Sequence, residues 1–144
     1  MMENIVVYTD GSCIGNPGPG GWAAIIQQDD AVKTLCGGAG HATNNRMEMT
    51  AVIRALQHLD TEEPIVIRSD SNYVCNAVNL HWLDSWRRNG WVGKTGAIAN
   101  VELWQELYKL VKARNCQFQW IKGHAGDPVN NLRPKGHGLV TAQS

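Results

Sequence analysis

Two short apolar runs constrain this chain most: Ile5–Tyr8 and Ile65–Ser69, both rich in β-branched residues and both leading into an aspartate and then a serine. Continuous runs of this kind read as strands buried on both faces. The first passes through Thr9 to Asp10, Gly11 and Ser12; the second ends at Asp70 and Ser71. A carboxylate at the end of a core strand is costly to desolvate unless something pairs with it or coordinates it. For Asp10 alone, a satisfied core or loop-capping aspartate and a metal ligand both remain open. In open α/β sheets, however, the functional crevice lies at the carboxyl ends of parallel strands. If the two strands are parallel neighbours, Asp10 and Asp70 meet there. Adjacent carboxylates repel unless a divalent cation lies between them. Oxygen donors of this type suit Mg²⁺ or Mn²⁺ rather than zinc.

The intervening and following segments supply the rest of an α/β pattern. After a glycine- and proline-rich loop, Trp22–Gln27 reads as a second strand, Asp29-Asp30 as a turn, and Ala31–Cys36 as a third strand ending in Gly37-Gly38. Three strands joined by short turns predict an antiparallel meander. Thr43, Asn44 and Asn45 supply helix-starting side chains, and Asn45 with Glu48 three residues on resembles a capping box. The helix is expected to run to about Leu59, burying Met47, Ala51, Val52, Ala55, Leu56 and Leu59. By itself Glu48 reads as a capping acid in the first turn. Asn72–Leu80 reads as a short helix, and Asn100 as the cap of a helix over Val101–Ala113 with Val101, Leu103, Trp104, Leu107, Leu110 and Val111 inward. Cys116–Ile121 alternates as a fifth strand and runs into a loop, Lys122–Gly126, that carries His124. A loop histidine is solvated by default, but beside a carboxylate site it can move protons near neutral pH. Between the helices, Trp82, Trp86 and Trp91 interleave with Arg87, Arg88 and Lys94, a pattern that serves a core or a strand-gripping surface.

A length of 144 residues fits one domain. The formal net charge is zero, so any surface that grips nucleic acid must be locally basic. The four cysteines are scattered, with no C-x-x-C pair. Buried free thiols in a reducing compartment are expected, three of the four lying in or beside apolar runs. No signal peptide and no apolar stretch long enough to cross a bilayer is found. A cytoplasmic protein with no membrane association is expected.

The stretches TDGSCIGNPGPGGW, TNNRMEMTAVIRAL, IRSDSNYV, W-RRNGW, NVELW and W-KGHAG together resemble bacterial type I ribonuclease H, in the family's order and spacing, from residue 5 to about 131. The resemblance implies the ribonuclease H-like fold: a five-stranded mixed sheet, antiparallel meander plus parallel strands, flanked by helices. It also implies an endonuclease that cuts the RNA strand of RNA–DNA hybrids with two Mg²⁺ ions, leaving 5′-phosphate and 3′-hydroxyl ends; Mn²⁺ is expected to substitute. By motif, Asp10, Glu48 and Asp70 match three of the family's four metal-ligating acids, and His124 matches its loop histidine. Gly11, Ser12, Asn16, Asn44, Asn45 and Asn72 match residues along the minor groove, and Thr43 and Asn100 a pocket for a DNA phosphate. Trp82, Arg87 and Arg88 fall in the family's handle. No obligate protein partner is implied, and a monomer is expected.

Two departures stand out. The handle, about residues 82 to 100, is usually lysine-rich, whereas here only Arg87, Arg88 and Lys94 are basic and Asp84 is added. Fewer phosphate contacts imply a shallower salt dependence. Beyond the GHAG loop, Pro134 stands where the fourth acid belongs, and Pro134, Gly136 and Gly138 oppose the family's last helix. Residues 132 to 144, roughly, therefore form a divergent tail within a single domain spanning 1 to 144. Asn131 could present an amide oxygen in place of the lost carboxylate, the tail could be a frame-shifted or engineered end, or water could fill the position. The rival reading is a hybrid-binding module with weakened or lost catalysis. A transposition or integration core fits poorly, because those relatives lack the Asn44-Asn45 pair.

Overall fold

The β-branched run at the start of the chain becomes the middle strand of a sheet, but not the strand buried on both faces that was expected: Ile5 and Val7 are buried on one face, while Val6 and Tyr8 on the other are half-buried. The computed structural model describes residues 5–93 and 96–122. In chain order the elements are β1 (Ile5–Cys13), β2 (Gly18–Gln28), β3 (Ala31–Ala42), α1 (Asn44–His58), β4 (Ile65–Ser69), α2 (Asn72–Asn79), α3 (Trp82–Arg88), β5 (Val92–Gly93), β6 (Gly96–Ala97), α4 (Val101–Ala113) and β7 (Cys116–Trp120). The main sheet has the order β3-β2-β1-β4-β7, and β5 and β6 form a separate small hairpin. Strands β1, β2 and β3 pair antiparallel, while β4 runs parallel to both β1 and β7. This is the mixed five-stranded sheet expected from the sequence.

Three strands are longer than expected, β2 starting already at Gly18. β1 continues to Cys13 because β2 offers Gly20 and Gly21 opposite Cys13 and Ser12, where no side chain crowds the pairing. β3 likewise continues through its glycines to Ala42, across an irregularity near Gly18 and Gly20. Gly37 is needed there: a Cβ on it would come within 2.8 Å of the Trp22 indole. Low strand propensity in glycine is overridden here by tertiary packing.

Helix α1 starts two residues earlier than the capping-box reading implies. Thr43 is its N-cap, with Oγ1 accepting from Arg46 N at 3.2 Å. Glu48 is thereby moved out of the first turn, and its carboxylate turns inward instead of capping. All six expected stripe residues of α1 and its C-cap are buried, and Met49 and Ile53 are buried as well. The wider apolar face follows from the position of α1 between the sheet and α4. Ile5, Val7, Ile65, Ile67, Val52, Leu56, Trp104 and Leu107 make the centre of the core. Each fully buried aliphatic side chain there contributes about 1.5–3 kcal/mol.

On α4, Trp104, Leu107 and Leu110 face inward as expected. Asn100 precedes the helix in a left-handed conformation (φ 60°) but makes no side-chain capping bond, because both ends of its amide are engaged elsewhere. Of the tryptophans, Trp86 packs on Trp104 with ring centres 5.5 Å apart, and Trp91 meets Tyr108 edge-on at 5.8 Å. Trp82 remains exposed. All four cysteines are free, but only Cys75 is buried; Cys36, on the edge strand β3, is exposed, contrary to the buried-thiol expectation. No helix among the described residues is long and apolar enough to cross a membrane.

Candidate functional site

The parallel pairing of β1 with β4 ends at Thr9 opposite Ser69. Asp10 and Asp70 are the next residues on each side, so the sheet register alone sets the two acids side by side. Asp10 lies within β1, which continues along β2, whereas Asp70 lies at the junction of β4 and α2.

Glu48 joins them from α1, and Gly11 allows it to do so. The backbones of β1 and α1 approach so closely that a Cβ on Gly11 would meet Met47 C at 2.4 Å and Glu48 N at 2.6 Å. Gly11 N donates to Glu48 Oε1 at 2.6 Å, and Ser69 Oγ donates to Oε2 at 3.5 Å. Ser69 Oγ in turn accepts from Ser71 N at 3.0 Å, and Ser71 Oγ caps α2 through Val74 N. Trp120 Nε1 on β7 holds the Asp70 carbonyl at 3.0 Å.

Carboxylate oxygens of Asp10, Glu48 and Asp70 all lie within 4.8 Å of one another. Asp10 and Glu48 are only 5% and 6% exposed. Burial, followed by the charges of Glu48 and Asp70, pushes the nearby Cys75 thiol up to about 11. Such a concentration of negative charge in a low-dielectric site fits a hard divalent cation, and the all-oxygen donor set points away from zinc.

Glu48 and Asp70 open onto a cleft of about 380 Å³, lined also by Gly11, Ser12, Asn44, Asn45, Asn72 and Tyr73. Two asparagines are oriented by backbone donors. Cys13 N donates to Asn44 Oδ1 at 2.9 Å, and Asn44 N donates to Asn16 Oδ1 at 2.9 Å. An amide whose oxygen faces such a donor turns its NH₂ the other way. Both side chains thus offer hydrogens to a ligand.

The remaining candidates are dispersed. Thr43 caps α1, and Asn100 lies across from it, bonded to Arg46. Trp82 lines a second groove with Trp86 and Val92. The Arg87 guanidinium packs 5.9 Å from the Tyr108 ring centre, and Arg88 is exposed at the end of α3. Asp84 is paired with Lys112 at 2.9 Å and with His81 at 3.2 Å. Lys94, His124, Asn131 and Pro134 lie outside the described residues.

Sequence reasoning passed over Ser69, Arg46 and Tyr73. Ser69 could have been found as the inward-facing residue just before the strand-end acid. Arg46 and Tyr73 carry no local signal, since their partners are distant in sequence.

The RNase H family model matches residues 2–134. The chain is 47% identical over 134 residues to a ribonuclease H of Oleidesulfovibrio alaskensis, covering 91% of this chain and 86% of that one. To a ribonuclease H of Alcanivorax borkumensis it is 46% identical over 132 residues, covering 90% and 85%. Among solved structures, LC9-RNase H1, described as a type 1 RNase H with the type 2 active-site motif, is similar with a TM-score of 0.76 and 31% identity; the match covers 88% of this chain and 66% of that one. LC11-RNase H1 in complex with an RNA/DNA hybrid gives a TM-score of 0.65 at 25% identity, over 83% and 86%. The fold expected from the sequence is therefore the fold observed. With a family model matching nearly the whole chain and relatives alike over nine-tenths of it, this chain belongs to the ribonuclease H family and is a nuclease of that family.

Proposed function

We propose that the chain hydrolyses the RNA strand of RNA–DNA hybrids, with Asp10, Glu48 and Asp70 holding two divalent ions, Mg²⁺ or Mn²⁺. One observation carries the reading: three carboxylates converge within 4.8 Å beside a cleft where the Asn44 amide is set as a donor. Bound divalent ions supply an activated water and charge stabilisation at the scissile phosphate, giving 5′-phosphate and 3′-hydroxyl ends.

The chain's own residues prepare that chemistry. Gly11 N and Ser69 Oγ hold the Glu48 carboxylate, so its orientation is set before substrate arrives. Asn16 and Asn44 present amide hydrogens, which suit the acceptor atoms that every base pair shows in the minor groove, and the oxygen of a 2′-hydroxyl. Gly11, Ser12, Asn45 and Asn72 contribute to the same groove-reading surface, and Thr43 and Asn100 take a phosphate of the DNA strand. Trp82, Arg87 and Arg88 form the handle. His124 assists proton transfer or product release.

The test is cleavage of a labelled hybrid in Mg²⁺ by the parent and by Asp10→Asn. Cleavage by the parent and none by the variant is the expected result. Tight binding without cleavage by the parent would instead favour a hybrid-binding module.

The tail sets a further expectation. With Pro134 at the place of an acid and Asn131 the nearest polar substitute, we assign Asn131 as a neutral ligand, so one ion is weakly held. Mg²⁺ dehydrates reluctantly, so Mn²⁺ is expected to support activity at lower concentration. Asn131→Asp or Pro134→Asp is expected to lower the Mg²⁺ requirement. Equal Mg²⁺ titrations for the parent and both variants would remove the tail from the metal site.

A further inference from the structure

Helix α3 has only 7 residues, too few to hold a helix in water, so its pose is set by what it touches. On one side Leu83 is buried and Trp86 packs on Trp104 of α4. Asp84, two residues before Trp86, projects from nearly the opposite side. Both of its carboxylate oxygens are engaged: Oδ1 lies 2.9 Å from Lys112 Nζ of α4, and Oδ2 lies 3.2 Å from His81 Nδ1. His81 makes the bend from α2 into α3 in a left-handed conformation (φ 63°), uncommon for a residue with a side chain.

The Lys112 ammonium, first among several causes, holds the Asp84 carboxyl below its ordinary range, and Asp84 in turn raises Lys112. The same ammonium lies 5.5 Å from the Tyr108 ring centre, and the Arg87 guanidinium lies 5.9 Å from it, so cations from α3 and α4 converge on one ring. Away from this contact, Trp82, Ser85, Trp86 and Asn89 follow one another at three- and four-residue spacing. With Val92 and Gly93 they line the second groove, of about 440 Å³. Aromatic walls of this kind hold nucleic acid by stacking, which depends on where the rings point.

We propose that Asp84 is a positioning residue: by clasping Lys112 and His81 it fixes the rotation of α3 and so aims the Trp82 and Trp86 wall at the bound nucleic acid, without touching that nucleic acid itself. The inference rests on the hybrid-cleaving reading and on the handle role of α3. It gives the acid in the handle a purpose other than repelling phosphates. Two anchors on opposite sides of a short helix, Trp86 on Trp104 and Asp84 on Lys112, stop it from turning about its axis.

The test uses the full chain and a fluorescently labelled RNA–DNA hybrid, with anisotropy in metal-free buffer across a salt series and steady-state cleavage in Mg²⁺. Asp84→Asn makes the chain more positive, Lys112→Met makes it more negative, and the double variant keeps the parent's net charge. Both single variants are expected to weaken binding about 2- to 5-fold, the range that a partly exposed ion pair allows, and to raise KM while kcat stays level. The double variant is expected to bind no more weakly than either, because one pair can be broken only once. Tighter binding by Asp84→Asn with weaker binding by Lys112→Met would mean that the two charges act on the phosphates directly, which overturns the positioning role. A salt slope shallower by about one in Lys112→Met, additive losses in the double variant, or parent-like binding by both single variants would overturn it too. Hydrogen exchange keeps this inference apart from the hybrid reading. Amides of residues 82 to 89 are expected to exchange faster in both single variants while those of β1 and β4 do not; unchanged exchange overturns the clasp whatever the chain cleaves. No binding and no cleavage by the parent would overturn the hybrid reading, and with it the aim of the wall, while exchange still decides the clasp.

Discussion

Asp70→Asn is expected to remove nearly all activity, by about 1000-fold or more, while the fold persists. The carboxylate is one of three within 4.8 Å, and on the proposed reading it is a metal ligand. Metal ions supply several kcal/mol of charge stabilisation, and each ~1.4 kcal/mol is a factor of ten in rate. The same substitution relieves repulsion among the three acids when no cation is present. In metal-free buffer the urea midpoint is therefore expected to stay level or rise. Initial rates in Mg²⁺ together with that midpoint give the check. Parent-like turnover would remove Asp70 from the metal site, and a large fall in midpoint would recast it as a structural acid.

Gly11→Ala is expected to be nearly as severe, by a different route. The added methyl would lie 2.4 Å from Met47 C, 2.6 Å from Glu48 N and 2.7 Å from Met47 O, all backbone atoms of α1. Backbone cannot rotate aside, so α1 must retreat from β1. The 2.6 Å bond from Gly11 N to Glu48 is then lost, and Glu48 moves relative to Asp10. A displacement on the order of 1 Å at a positioned group costs about 100-fold in rate. Forcing a methyl into a packed contact destabilises by about 1–3 kcal/mol. Rates and urea denaturation together check both halves. Full activity with unchanged stability would mean that the two elements do not meet this closely in solution.

Much of this arrangement was legible in the residues. The β-branched runs before Asp10 and Asp70 marked strands, and the register bringing the acids together follows once those strands pair in parallel, as they do. The buried stripe of α1 and the inward face of α4 followed from helical spacing. What escaped was set by contacts remote in sequence. Glycines 37 and 38 read as a strand terminus, yet the Trp22 indole packed against Gly37 makes them strand interior. Glu48 read as a capping acid, because its actual partners, Gly11 and Ser69, are 37 and 21 residues away. Asn100 read as a cap, while Arg46 and Tyr73 take both ends of its amide. Gly11 stood out by motif, but the need for a missing side chain there appears only once α1 lies across β1.

The two aspartates differ in how firmly their backbones are held. Asp10 is inside a strand whose antiparallel pairing continues three residues further, to Cys13 opposite Gly20. Asp70 lies past the last rung of β4, where an indole hydrogen bond from the half-exposed Trp120 holds its carbonyl. Local openings start where backbone is least paired. Fraying of the β4–α2 junction would therefore release Asp70 and leave Asp10 and Glu48 in register. Thermal loosening of the centre would then be one-sided, two acids staying as a fixed jaw while the third moves.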